Sequence, residues 1–406
     1  MRDCRPDCDC GDSDEKPLSF GVLNHWLVHR AMWPDHRLID LLEIEHPIVL
    51  SPMAGFVTLE LAAAVCNAGG LGSIGCGPME PEVVAKTIRA LRGLTDKPIN
   101  ANFFCHVQAT TTTDREEAWQ DRLLPYYREL EIDSAISVPR IDIPPFDEAR
   151  CKIVEETKPE VVSFHFGLPD SALLDRVKAA GCRIMASATT VAEARWLEMQ
   201  GVDIIIAQGY EAGGHRGTFL TQISNSVSSS QPGTLALVPQ VVDAVKVPVV
   251  AAGGIADGRG IAAAFALGAA GTQLGTAYLL CPEAATSQPH RDALRDADSD
   301  ATFVTNVFTG RPARALSNRL ALEIGPIANG LPDFPLPMGA LAPLRAKAEQ
   351  QGNSDFTPFW SGQSSLLGRE MPARELTLEL AGSSRSIKTA QRRLDCGFGN
   401  RTADAP

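Results

Sequence analysis

Basic charge is in short supply in this chain. Its 406 residues carry 37 Lys and Arg against 49 Asp and Glu, a formal net charge of −12, and the isoelectric point is about 5.2. That balance withholds the positive footprint a nucleic-acid partner requires. It also disfavours adsorption to an anionic membrane. Long apolar runs are missing too, since none reaches the roughly 18–20 residues of a spanning helix. The opening stretch MRDCRPDCDCGDSDEKP is polar and acidic, without the apolar segment of a secretory leader. Ten cysteines are scattered along the chain, which reads as free thiols in a reducing, cytoplasmic setting. What is present is an ordinary globular composition, 44% hydrophobic and 21% charged, and a mostly disordered chain is excluded.

Residues 1–36 read as an appended extension. Cys4, Cys8 and Cys10 lie there among Asp residues, and His25 and His29 follow at i, i+4. Cys-x3-Cys-x-Cys is not a standard structural zinc spacing, so no metal is assigned. Residues 37–285 alternate short β-rich runs with helical patterns. The strands are expected at 47–53, 70–75, 98–104, 160–166, 183–189, 203–209, 248–254 and 271–280. Several are apolar without alternation, as parallel strands buried on both faces are. Eight strand–helix units in this length predict an α/β fold, a closed (β/α)8 TIM barrel. A doubly wound open sheet is the second choice, and the first unit lacks its G-x-G-x-x-G turn. An insertion at 105–147 interrupts the third unit and carries a helical run, DREEAWQDRLLPYYREL. Residues 286–380 read as a smaller helical lid region and 381–406 as a tail.

In such a barrel the chemistry sits where the strands end. Those ends read Pro52-Met53-Ala54-Gly55, Gly75-Cys76-Gly77, Asn102, His165, Ser187, Gln208, Gly253-Gly254 and Gly275-Thr276. They hold no carboxylate pair and no nucleophile elbow. Small residues there suit a flat cofactor that approaches the backbone closely. The glycine turns after strands seven and eight stand where barrels commonly bind phosphate on backbone N–H groups. Their alternative role is simply to make tight turns. After strand six comes Gln208-Gly-Tyr-Glu-Ala-Gly213-Gly214-His215-Arg-Gly. His215 can take a proton from a carbon acid or hold an anion. Glu211 either orients it, pairs with Arg216 or caps the loop. His165 shares a strand face with Val161 and Ser163, opposite Val162, Phe164 and Phe166. It is either a pocket residue or a hydrogen-bonded core histidine.

The stretches PIVLSPMAG, INANFF, VVSFHFG, DIIIAQGYEAGGHRG and PVVAAGGIADGRGIAAAFALGAAGTQLGTAYL together resemble the nitronate monooxygenase family, once called 2-nitropropane dioxygenases. FWSGQS at 359–364 is similar to that family's C-terminal segment. The resemblance implies a TIM barrel carrying FMN, with a nitronate and O2 as small-molecule reactants and carbonyl compound and nitrite as products. By matching position it implies backbone of Pro52, Met53, Ala54 and Gly55 under the flavin, and Asn102 and Gln208 at the ring edge. It implies a phosphate cradle of Gly213, Gly214, Gly253, Gly254, Gly275 and Thr276, His215 as catalytic residue, and Gln363 returning to the flavin. His165 and Ser187 are expected on the substrate side. Ser51 departs from the family pattern, and the 105–147 insertion with IPPF at 143–146 is expected to reshape substrate entry.

The FMN-dependent enoyl-acyl-carrier-protein reductases look similar and share G-x-E-A-G-G-H. They would add an NAD(P)H site, and a related use is in trans to a polyketide or fatty-acid assembly. A flavin-free barrel isomerase or lyase would place Lys, Asp or Glu at the strand ends, which are nearly bare of them. An interaction module has no use for the glycine loops. Oligomeric state is not legible.

Overall fold

The computed structural model describes residues 33–109, 113–133, 138–220, 231–298 and 301–382. Cys4, Cys8, Cys10, His25, His29 and the 383–406 tail lie outside them. The strands are β1 (Ile48–Leu50), β2 (Gly72–Gly75), β3 (Ile99–Phe104), β4 (Val161–His165), β5 (Arg183–Ala188), β6 (Ile204–Gln208), β7 (Gly214–His215), β8 (Val249–Ala252), β9 (Gly271–Leu274), β10 (Thr302–Thr305) and β11 (Ala313–Leu316).

Eight of them form one parallel sheet in the order β1-β9-β8-β6-β5-β4-β3-β2. A parallel bridge between Val49 and Leu71 joins its two ends, with Leu50 N–H donating to Leu71 C=O and Leu71 N–H to Ile48 C=O, both at 2.9 Å. The result is the (β/α)8 barrel expected of the strand–helix rhythm. The strand residues Val161, Val162, Ile204, Ile205 and Val250 are fully buried, because barrel interior and helix ring cover both faces. Side-chain caps start many of the outer helices. Thr58, Asp147, Asp170, Thr190 and Asp257 each accept from a backbone N–H of the first turn, where helical donors have no partner of their own.

The eighth barrel strand, β9, is shorter than its 271–280 apolar run. It stops at Leu274, and Thr276–Tyr278 coils into a 3-10 turn. The alternation across β4 also breaks at its end. Phe166 sits at φ +71°, a conformation a bulky side chain adopts only under constraint. Its ring therefore turns back to His165, 4.4 Å between centroids, instead of joining Phe164 on the far face.

The C-terminal region is not purely helical. β10 and β11 pair with each other and with β7 in an antiparallel sheet. The helix Pro337–Gln350 then lies over the strand ends, and the inserted helix Thr113–Glu129 packs against it. The two share a second core with Trp119, Leu123, Tyr127, Leu341, Leu344 and Phe356. Trp119 Nε1 donates to Pro337 C=O at 3.2 Å and Arg122 to Ile324 C=O at 2.8 Å. The insertion thus buttresses the helix that covers the strand ends.

Candidate active site

A cavity of about 450 Å³ opens at the C-terminal ends of the barrel strands. Of the residues singled out from sequence, Pro52, Met53, Ala54, Asn102, His165, Ser187, Gln208, Gly213, Gly214, His215, Gly253, Gly254, Gly275 and Thr276 all line it. Two do not. Gly55 is exposed at the first loop, with φ +83° and its neighbours Ala54 and Phe56 on the wall. Gln363 is exposed as well. Its backbone N–H donates to Glu211 C=O at 3.0 Å, and the flanking Gly362 and Ser364 reach the cavity in its place.

The glycine turns converge as one cradle. A Cβ on Gly213 would stand 2.5 Å from the amide nitrogen of Gly362, and one on Gly253 2.9 Å from that of Ala212. Gly253 and Gly254 have φ of +109° and +72°, which only glycine adopts freely. Thr276 Oγ1 accepts from Gly362 N–H at 2.9 Å, tying the C-terminal segment to strand eight of the barrel. Backbone therefore packs on backbone here, with no room for a side chain at Gly213 or Gly253.

The loop after β6 is held by its own polar groups. Gln208 Nε2 donates to His215 C=O at 2.9 Å, and its Oε1 accepts from Gly217 N–H at 2.8 Å. Both ends of that amide brace the loop, so Gln208 acts by shaping it. Glu211 does not orient His215. Its carboxylate accepts from Thr234 N–H at 2.8 Å and Thr234 Oγ1 at 3.0 Å, capping the helix Thr234–Val242. Arg216 instead donates to Gly209 C=O at 2.6 Å.

Three imidazoles gather at the cavity wall, with His165 and His215 lining it and His106 behind. His165 Nε2 meets His215 C=O at 3.2 Å, and its Nδ1 meets Ser187 Oγ at 2.6 Å. A carbonyl only accepts, so Nε2 carries the proton and Ser187 donates to Nδ1. His165 thus lines the cavity with both nitrogens engaged. His215 Nε2 lies 2.9 Å from Thr309 Oγ1, and its ring contacts Phe166, Phe334 and Trp360 at 5.5–5.8 Å. Burial, then His165, Arg311 and His106, pull the His215 pKa down to about 3. Burial likewise lowers His165 and His106 to about 4. All three are neutral at physiological pH.

Several lining residues escape sequence reasoning. Thr309, Phe308, Phe334 and Trp360 come from the C-terminal region, and Gln273 from β9. The Gln273 Oε1 is buried without a partner. The lid helix presents Met338, Leu341, Ala342 and Arg345, an i, i+3, i+4, i+7 stripe. Arg345 is the one charged side chain, histidines aside, among the described lining residues.

A closed (β/α)8 barrel with a glycine cradle and a neutral imidazole at its mouth defines a barrel enzyme acting on a small molecule. Comparison with known proteins narrows the class: the chain belongs to the nitronate monooxygenase family, whose model matches residues 35–382. It is 42% identical over 342 residues to the nitronate monooxygenase of Pseudomonas aeruginosa, covering 84% of this chain and 96% of that one. Among solved structures it is similar to nitroalkane oxidase from Streptomyces ansochromogenes, with TM-score 0.78, 38% identity, and coverage of 87% and 99%. FabK from Thermotoga maritima is more distant, at TM-score 0.66 and 32% identity over 88% and 98%. The chain is an oxidoreductase of this family. No described helix is long and apolar enough to cross a membrane.

Proposed function

We propose that this protein binds FMN in the glycine cradle and oxidises alkyl nitronates, or the nitroalkanes that give rise to them, with O2 to a carbonyl compound and nitrite. The observation that carries the reading is the placement of His215, neutral and lining the same cavity as Gly213, Gly253, Gly254 and Gly275.

The residues fit the cofactor. A flavin phosphate is a dianion that backbone N–H groups can hold, and a Cβ on Gly213 or Gly253 would collide with neighbouring backbone and distort the turns that present them. The unpartnered Gln273 Oε1 supplies an acceptor that a ring N–H would satisfy. Gly213, Gly253, Gly254, Gly275 and Thr276 would hold the phosphate end. The backbone of Pro52, Met53 and Ala54 would support the ring, with Asn102 and Gln273 at its polar edge. When bound, FMN supplies the electron-accepting ring and the reactivity toward O2.

The protein does the rest. Phe104, Phe334, Ile141, Ile143 and Met338 wall the cavity with apolar surface and keep water from the reacting carbon. His215 meets the substrate's acidic C–H or its nitronate oxygen. His165 and Ser187 brace the loop that carries it. The six cysteines among the described residues are free thiols, which supports a cytoplasmic, reducing setting.

The test is an absorption spectrum of the purified protein, followed by anaerobic titration with propionate 3-nitronate and, separately, NADPH. Bleaching of a flavin band by the nitronate and nitrite release in air are expected. Bleaching by NADPH alone would move the assignment to an enoyl-thioester reductase, and a colourless protein that takes up no FMN would end it.

A further inference from the structure

We infer that Thr309 is a positioning residue that fixes the tautomer of His215, leaving the imidazole Nδ1 as the lone-pair face toward substrate. The inference rests on the proposed nitronate chemistry for its kinetic consequence, and on geometry alone for the tautomer.

A neutral imidazole has one N–H and one lone pair, and which nitrogen holds which is set by its partners. In many sites a carboxylate decides. Here no carboxylate among the described residues hydrogen-bonds His215, because Glu211 caps the helix Thr234–Val242. The ring is enclosed by Phe166, Phe334 and Trp360. Thr309, 4% exposed, is its one hydrogen-bonding partner among the described residues.

The hydroxyl of Thr309 has three neighbours. His215 Nε2 is at 2.9 Å, Arg311 C=O at 3.3 Å, and Arg311 N–H at 3.4 Å. A hydroxyl offers one proton and two lone pairs. The amide N–H of Arg311 takes one lone pair, because it can only donate. The carbonyl of Arg311 takes the proton, because it can only accept. The remaining lone pair is left for Nε2, which must then donate. All three groups are satisfied in this one arrangement. If Thr309 donated to Nε2 instead, the Arg311 carbonyl would lose its donor in a buried turn.

Nδ1 makes no hydrogen bond to any described residue, nor is it sealed away from the cavity that His215 lines. It is therefore the face that meets substrate. With a neutral nitroalkane, the C–H bond breaks and its proton forms an N–H bond at Nδ1. The electron pair moves into the nitro group, giving the nitronate. The groups that bear charge or titrate around the ring do not compete for Nδ1. His165 on β4 is engaged at both nitrogens, His106 lies beyond Phe166, and Arg311 stacks on the Phe166 ring at 4.0 Å while donating to Thr218 C=O.

The experiment compares the wild-type holoenzyme with Thr309→Val and Thr309→Ser, using imidazole-15N histidine labelling. His215 is assigned by the resonance lost in His215→Asn. The expected wild-type signals are a protonated Nε2 and an unprotonated Nδ1. Thr309→Val should give a mixed or inverted pattern, and Thr309→Ser should restore the original one. With a neutral nitroalkane, kcat should fall roughly five- to tenfold in Thr309→Val, the size of one hydrogen bond, and recover in Thr309→Ser. With preformed nitronate the loss should be smaller. A wild-type spectrum with the proton on Nδ1 overturns the inference, as does an unchanged tautomer in Thr309→Val. Should Thr309→Val not fold, the wild-type spectrum and Thr309→Ser still decide it. A wild-type protein inert toward nitronates would sink the functional reading, while the nitrogen shifts would still judge Thr309.

Discussion

The phenol of Tyr127 donates to the carbonyl of Ala340 at 2.6 Å, so a helix inserted after β3 holds the helix that roofs the cavity. Tyr127 is 5% exposed and does not line the cavity, so its effect on substrate runs through the lid. Tyr127→Phe removes one neutral hydrogen bond, about 1 kcal/mol. Steady-state kinetics should show KM for a nitronate rising about two- to fivefold, with kcat changed less than twofold. A fall in kcat at constant KM would contradict this role.

His215→Ala should keep the yellow flavin, because the cradle is built of backbone and not of this ring. Turnover of a neutral nitroalkane should drop by roughly 10²–10⁴-fold, the range of a lost general base. A preformed nitronate needs no proton abstraction and should lose far less. Near-wild-type rates with both substrates would remove His215 from the chemistry.

Gly213→Ala should act on the cofactor. The new methyl would stand 2.5 Å from the Gly362 amide nitrogen, a backbone atom that cannot swing aside. Overpacking of this kind costs about 1–3 kcal/mol. We expect a lower flavin content after purification and a lower Tm in the mutant. Full flavin occupancy with unchanged Tm would show the cradle to be looser than its packing indicates.

Acid should unfold the protein early. His106, His165 and His290 have pKa values near 4, and His215 near 3, each lowered chiefly by burial. The unfolded chain protonates these rings near 6.5, so below that pH it binds more protons than the folded one. Stability from this source is complete above pH 6.5 and is lost as pH falls toward 4. Each such histidine contributes a slope of about 1.4 kcal/mol per pH unit within that window. Thermal melts between pH 7.5 and 4.5 should decline steeply, and a flat profile would refute it.

Local patterns carried most of the barrel. The glycine turns at Gly253 and Gly275 and the loop around His215 were readable because each is a short run in which composition dictates geometry. Alternation puts Phe166 on the face of Phe164, but alternation holds only while φ stays extended, and at Phe166 it reverses. Position in a motif points Gly55 and Gln363 at the ligand, yet both are exposed and their neighbours Ala54, Phe56, Gly362 and Ser364 line the cavity. Thr309 left no mark in the sequence. It reaches His215 through the pairing of the two-residue β7 with β11, and two residues are too few to show a periodicity. The lid stripe at Met338, Leu341, Ala342 and Arg345 was hidden for another reason: it faces a cavity as well as a core, so its apolar pattern reads as ordinary helix burial.

Gly362 packs backbone to backbone on Gly213 and bonds Thr276. During synthesis on the ribosome, the eight barrel strands are therefore exposed to the cell before the wall of the cradle that only later residues can bring. A chain cut before residue 360 would keep all eight barrel strands and lose the Gly362 amide that packs on Gly213 and bonds Thr276.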